Sequence, residues 1–182
     1  LHETGKQIIK HFLQEISGGS QRAFTWTGPY GSGKSTLALY LSQLLASSDI
    51  ELNKNNKLGK VLIRHFREAE GGVHKPWLIL RITAQKEPLT ETIYRVVKSA
   101  IKEYFPDPIH KKITKAFDLV KSEADFITNL NYLSEEVKNT GGGGLLLIID
   151  EMGKAVEYIS RGDGDLYLFQ ELAEQFSRAN SR

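Results

Sequence analysis

Nine residues constrain this chain more than any others: Gly28-Pro29-Tyr30-Gly31-Ser32-Gly33-Lys34-Ser35-Thr36 fits the spacing G-x-x-x-x-G-K-[ST] without a mismatch. The residues before it, 23–27 (AFTWT), are short and aromatic and lie between glycines and a serine, so they read as a buried strand. Residues 34–46 after it carry Leu37, Ala38, Leu41, Leu44 and Leu45 on one helical face, and the polar stretch 47–57 ends them. Between a strand and a helix that spacing has a physical meaning. Glycines at 28, 31 and 33 let successive backbone N–H groups turn inward around an anion, and the helix adds its unpaired N–H groups and positive dipole end. Lys34 is placed to reach the β- and γ-phosphates of a nucleotide as a point charge. Ser35 is placed to take one position on an octahedral Mg²⁺, and Thr36 to help through its backbone N–H. Pro29, Tyr30 and Ser32 complete the cradle, with Tyr30 either brushing the nucleotide or packing. The plain alternative is a glycine turn that only joins strand to helix, and the number of spaced residues that agree weighs against it.

A second pattern lies far downstream. After the glycines at 141–144, residues 145–149 (LLLII) form a wholly apolar run of strand length, expected to be buried on both faces, and it ends abruptly in Asp150-Glu151. Open parallel sheets place their ligand crevice at such strand ends. There Asp150 is expected to orient the waters on Mg²⁺, and Glu151 to position and deprotonate a water that attacks the γ-phosphate. Capping of the following helix is the alternative for the pair.

The rest of the chain alternates in type. Ile8, Ile9, Phe12, Leu13 and Ile16 predict an N-terminal amphipathic helix closed by Gly18-Gly19. Residues 57–70 read as a basic helix in preference to a strand at 61–63, and residues 77–83 (WLILRIT) as a strand. Pro88 opens a helix through Leu89, Ile93, Val96, Val97, Ala100, Ile101 and Tyr104, which Pro106 and Pro108 stop. Residues 107–122 are basic and give no assignment, whereas Phe126, Ile127, Leu130, Leu133 and Val137 mark another helix. Asp165 is placed to N-cap a last helix carrying Leu168, Phe169, Leu172 and Phe176, running to about residue 179. Strands alternating with helices predict an α/β fold with a mainly parallel sheet. Residues 1–20 are expected to be a helix leading into a core of residues 21–182.

On these residues the chain resembles the P-loop NTPases, with GPYGSGKST as Walker A and LLLIIDE as Walker B, over residues 23–151. The Asp-Glu pair resembles the division with a catalytic glutamate, which includes AAA-type and STAND ATPases, helicases and ABC-type ATPases. No ABC signature is present and MGKAVEY after Glu151 is not a helicase box, so AAA-like or STAND-like is the nearer match. The chain is also similar to ATPase modules of large bacterial multidomain proteins, some of them in defence against phage. The resemblance implies a three-layer α/β fold, ATP as ligand, Mg²⁺ as cofactor, Lys34 and Glu151 as catalytic residues, and Ser35 and Asp150 on the metal. It implies work as a homo-oligomer or with partner proteins. In that division a strand after Walker B inserts beside the Walker A strand, and here one helix follows Walker B before Arg182. An incomplete fold is therefore expected, with sensor and lid residues unassigned, and the start at Leu1 agrees with a piece of a longer protein. The lack of an N-K-x-D motif favours ATP over GTP.

Composition narrows the remaining classes. The chain has no cysteine, so disulfides, thiolate metal sites and thiol nucleophiles are excluded, and a reducing cytoplasm is the expected location. Lys and Arg (24) barely outnumber Asp and Glu (22), an excess too slight to announce a nucleic-acid or membrane-surface partner, so charge alone names no partner. Two basic stretches, Lys54, Lys57, Lys60, Arg64 and Arg67, then Lys111, Lys112, Lys115 and Lys121, read first as solvated helix faces, with contact to nucleic-acid phosphates the alternative should they share a face. No apolar run approaches the ~18 residues of a membrane span, so no membrane is expected. The histidines are not at metal-ligand spacing. Arg161, in a glycine- and acid-rich loop, is a candidate arginine finger whose plain reading is a solvated side chain, and Lys154 reads as surface. Trp26 and Trp77 read as core residues in strands. The function expected is Mg²⁺-dependent ATP hydrolysis within a larger protein. A small-molecule or nucleoside kinase and a nucleotide-dependent scaffold with negligible turnover are the alternatives.

Overall fold

The structure, a computed structural model, describes residues 2–18, 21–48, 57–69, 72–163 and 167–178. It divides into two compact units, Leu1–Trp77 with Ala173–Arg182, and Leu78–Leu172. Among the described residues no helix is long and apolar enough to cross a membrane.

The first unit contains α1 (Glu3–Gly18), α2 (Lys34–Ala46) and α3 (Lys57–Ala69). The apolar spacing of α1 turns Ile9, Phe12 and Leu13 inward, and the helix packs chiefly against α3 and to a lesser extent against α2. From α2 come Leu41, Leu44 and Leu45, and from α3 Leu62 and Ile63, while Val61 stays exposed. That one run of three aliphatic residues splits between core and solvent is what a helix requires and a strand would not give in this order. Gly72, at φ 92°, closes the region after α3 by donating its N–H to Arg67 O at 2.7 Å. The C-terminal end of α2 is tied to the approach to the second unit, since Leu45 O accepts the Trp77 N–H at 2.9 Å and lies 3.2 Å from His74 Nε2.

The strand predicted at 23–27 does not form; residues 21–29 carry no regular secondary structure. A strand exists only through a ladder, and among the described residues the ladder partners are elsewhere. The apolar content of the segment is satisfied by rings instead. Phe24 lies 4.6 Å and Trp26 6.2 Å from Phe12 between ring centroids, and Arg22 Nη1 ties the segment to α1 by donating to Glu15 O at 2.7 Å. Trp26 and Trp77 are thus half-buried and neither stands in a strand.

The second unit is built on two parallel strands, β1 (Leu78–Thr83) and β2 (Leu145–Asp150), in register from Leu78 opposite Leu145 to Thr83 opposite Asp150. A parallel pair needs a crossover, and α4 (Leu89–Tyr104), α5 (Ile109–Asp118) and α6 (Glu123–Asn139) supply it. Helix α4 packs on β1, α6 on β2, and α5 on both α4 and α6. The unassigned basic stretch thus holds α5, with Ile113 and Phe117 buried. Pro88 precedes α4, and Ser122 caps α6, its Oγ accepting the Asp125 N–H at 3.1 Å. In β1 the alternation is clean, with Leu78, Leu80 and Ile82 buried. The expectation for β2 was burial on both faces, but all its residues are half-buried. It has the composition of a central strand, and among the described residues a ladder on one edge only.

After β2 come α7 (Met152–Tyr158), a segment 159–163 kinked at Gly162 (φ 88°), and α8 (Tyr167–Arg178), which buries Leu168 and Leu172. The cap expected at Asp165 lies outside the described residues. The architecture is mixed α/β, mostly helical, with a small parallel sheet.

Candidate active site

The glycine loop enters α2 through two residues with left-handed backbone, Gly31 (φ 78°) and Gly33 (φ 84°), a conformation that costs a side-chain-bearing residue about 1 kcal/mol or more. Ser32 N–H donates to Pro29 O at 3.3 Å, closing a turn on which Tyr30 is fully exposed rather than packed. Gly28 is also constrained, because a Cβ there would lie 3.2 Å from Ser32 Oγ. Lys34 then folds back across the loop. Its Nζ donates to Gly28 O and Pro29 O, each at 2.9 Å, and to Ser32 Oγ at 3.3 Å, matching the three hydrogens of an ammonium group.

The donors of this region are left available. Among the described residues the N–H groups of Gly31, Gly33, Lys34, Ser35 and Thr36 have no backbone acceptor, as the first turn of a helix dictates. Ser35 and Thr36 are exposed at the same end. Backbone N–H groups at a helix N-terminus with one ammonium beside them suit a phosphate group.

The acid pair closes β2. Asp150 faces Thr83 across the ladder, its carbonyl accepts the Ala84 N–H at 2.9 Å, and its carboxylate Oδ1 accepts the Glu151 N–H at 2.8 Å. Glu151 is, among the described residues, the one non-glycine with positive φ (57°, ψ 34°). That turn ends the strand and starts α7, whose Lys154 N–H donates to Glu151 O at 2.9 Å. The Glu151 carboxylate is half-exposed, with Lys154 Nζ 3.6 Å away.

Gly28, Pro29, Ser32 and Lys34 are thus joined by hydrogen bonds within the first unit, and Asp150, Glu151 and Lys154 are joined within the second. The weaker candidates are engaged elsewhere. Arg161 donates to Glu157 Oε1 at 2.5 Å, Lys111 pairs with Asp107 at 3.0 Å, and Lys112 lies over the Tyr132 ring at 5.3 Å. Lys54 lies outside the described residues. Sequence reading missed one pair, Lys86 with Glu157 at 2.9 Å, which holds the Glu157 carboxyl below its ordinary range with help from Arg161. These residues are 71 positions apart and no local spacing announces them.

Among the described residues no cluster of three or more His, Cys, Asp or Glu could hold a metal ion. The Ser35 hydroxyl in the first unit and the Asp150 carboxylate in the second are each, taken singly, oxygen donors of the hard type that Mg²⁺ takes. Compared with known proteins, the chain matches no family model, no curated sequence and no solved structure.

Proposed function

We propose that this chain is the ATP-binding and ATP-hydrolysing module of an AAA- or STAND-like protein, with a three-layer P-loop NTPase fold. The observation that carries the reading is the loop 28–36: two glycines in left-handed conformation, Lys34 folded over the loop carbonyls, and unpaired N–H groups at the start of α2. In this reading the loop amides and Lys34 hold the phosphates and stabilise charge that develops on them. Mg²⁺, when bound, neutralises the β- and γ-phosphate oxygens. Ser35 and Asp150 would supply oxygen donors to it, and Glu151 would orient the attacking water and take its proton. Turnover of this kind serves to convert γ-phosphate occupancy into conformational change or assembly of a larger machine.

The test is Mg²⁺-dependent phosphate release from ATP. Glu151→Gln is expected to bind ATP as the parent does and to release phosphate at least about a hundredfold more slowly. Unchanged turnover in that variant would sink the assignment. Release without any added acceptor separates a hydrolase from a kinase, and tight binding without release identifies a scaffold.

A further inference from the structure

The left-handed Glu151 raises a question of support, because such backbone strain persists only where the surroundings over-determine it. Its own turn is held by two local bonds, Glu151 N–H to Asp150 Oδ1 at 2.8 Å and Lys154 N–H to Glu151 O at 2.9 Å. Further support comes from one short segment after β1, beside the burial of Ala155 in α7. Ala84 N–H donates to Asp150 O at 2.9 Å, just before α7 begins, and Lys86 Nζ donates to Glu157 Oε1 at 2.9 Å, in the last turn of α7. The segment 84–86 therefore bonds both the end of β2 and the last turn of α7, on either side of Glu151. The same Glu157 oxygen accepts Arg161 at 2.5 Å, but Arg161 follows α7 directly on the same stretch of chain. The lowering of the Glu157 carboxyl, due first to Lys86, agrees with the geometry.

We infer that Lys86 and Glu157 are positioning residues that fix the aim of the Glu151 carboxylate by anchoring α7 to the end of β1. The inference rests on the hydrolase reading. It predicts an effect on turnover and not on nucleotide capture, since neither residue belongs to the loop 28–36. An exposed ion pair acts weakly, so the expected loss is about three- to fivefold.

The experiment measures kcat and KM for phosphate release from MgATP in Lys86→Met, Glu157→Gln, the double variant, Lys86→Arg and Arg161→Gln. The expected result is a fall in kcat of about three- to fivefold in each of the first two at unchanged KM, and no further fall in the double variant, because one interaction is lost once. Lys86→Arg, which keeps the charge, restores most of the loss, and Arg161→Gln stays within about twofold of the parent. Parental kcat in Lys86→Met, an equal change in KM, additive losses in the double variant, or a loss in Arg161→Gln as large as in Lys86→Met each overturn the inference. A parent protein that releases no phosphate, with Glu151→Gln changing nothing, removes the hydrolase reading itself.

Discussion

Glu151 carries a carboxylate side chain on a backbone conformation better suited to glycine. Glu151→Gly is therefore expected to raise stability by about 1 kcal/mol, read as a higher denaturant midpoint at constant slope, while abolishing phosphate release. A gain in stability without loss of activity would place the chemistry elsewhere. Lys34→Ala removes the ammonium that spans Gly28 O and Pro29 O, and phosphate release is expected to fall by about a hundredfold or more, followed with a phosphate sensor. Residues of this kind were legible in the sequence because their spacing is local: nine consecutive positions define the loop, and two adjacent acids end an apolar run. Lys86 and Glu157 were not legible. Only the register that sets Thr83 opposite Asp150 brings the segments that carry them together.

Helices were legible for a related reason, as their signal repeats every three or four residues. Ile93, Val97 and Ile101 in α4, and Phe126, Leu130, Leu133 and Val137 in α6, are buried as the period requires. Strands were less so, because composition describes a side chain's preference and not whether a ladder partner is present. Residues 23–27 have strand composition and no ladder, and β2 has the composition of a doubly covered strand with half-buried residues. The turn after α6 was read as a glycine loop, and one of its glycines does more than bend. A Cβ on Gly142 would meet the Tyr104 hydroxyl, Val137 Cγ1 at 2.6 Å and Val137 O at 2.9 Å. Gly142→Ala is expected to cost about 2 kcal/mol in chemical denaturation, whereas Gly153→Ala, with nothing near its Cβ, should not. Charged contacts among the second-unit helices give a pH dependence. The Asp118 carboxyl is held below its ordinary range by the Tyr94 hydroxyl and then by Lys98, and Glu87 by Thr92 and then Arg95. A lowered carboxyl contributes stability that is present above its unfolded value, about pH 4, and lost as pH falls through its folded value. Thermal midpoints should thus be flat above about pH 5 and fall below it, and the acid limb should be shallower in Asp118→Asn.

The chain as a whole places Lys34 in one compact unit and Asp150-Glu151 in the other, so a ligand's effect is best read on global stability. MgATP at about a hundred times its dissociation constant is expected to add about 2.7 kcal/mol, seen as a raised midpoint that Lys34→Ala removes. An identical rise in that variant would place binding outside the loop. At this scale the sequence was least informative, because the boundary at Trp77 and Leu78 falls inside a run, WLILRIT, that reads as a single strand. The ring packing of Trp26 on Phe12 has an optical consequence. The protein contains two tryptophans, and Trp26 stands two residues before the first glycine of the loop. With Trp77→Phe removing the background, the emission of that single indole becomes an unlabelled reporter of the loop, bright or quenched according to how its neighbours move when a phosphate is taken up.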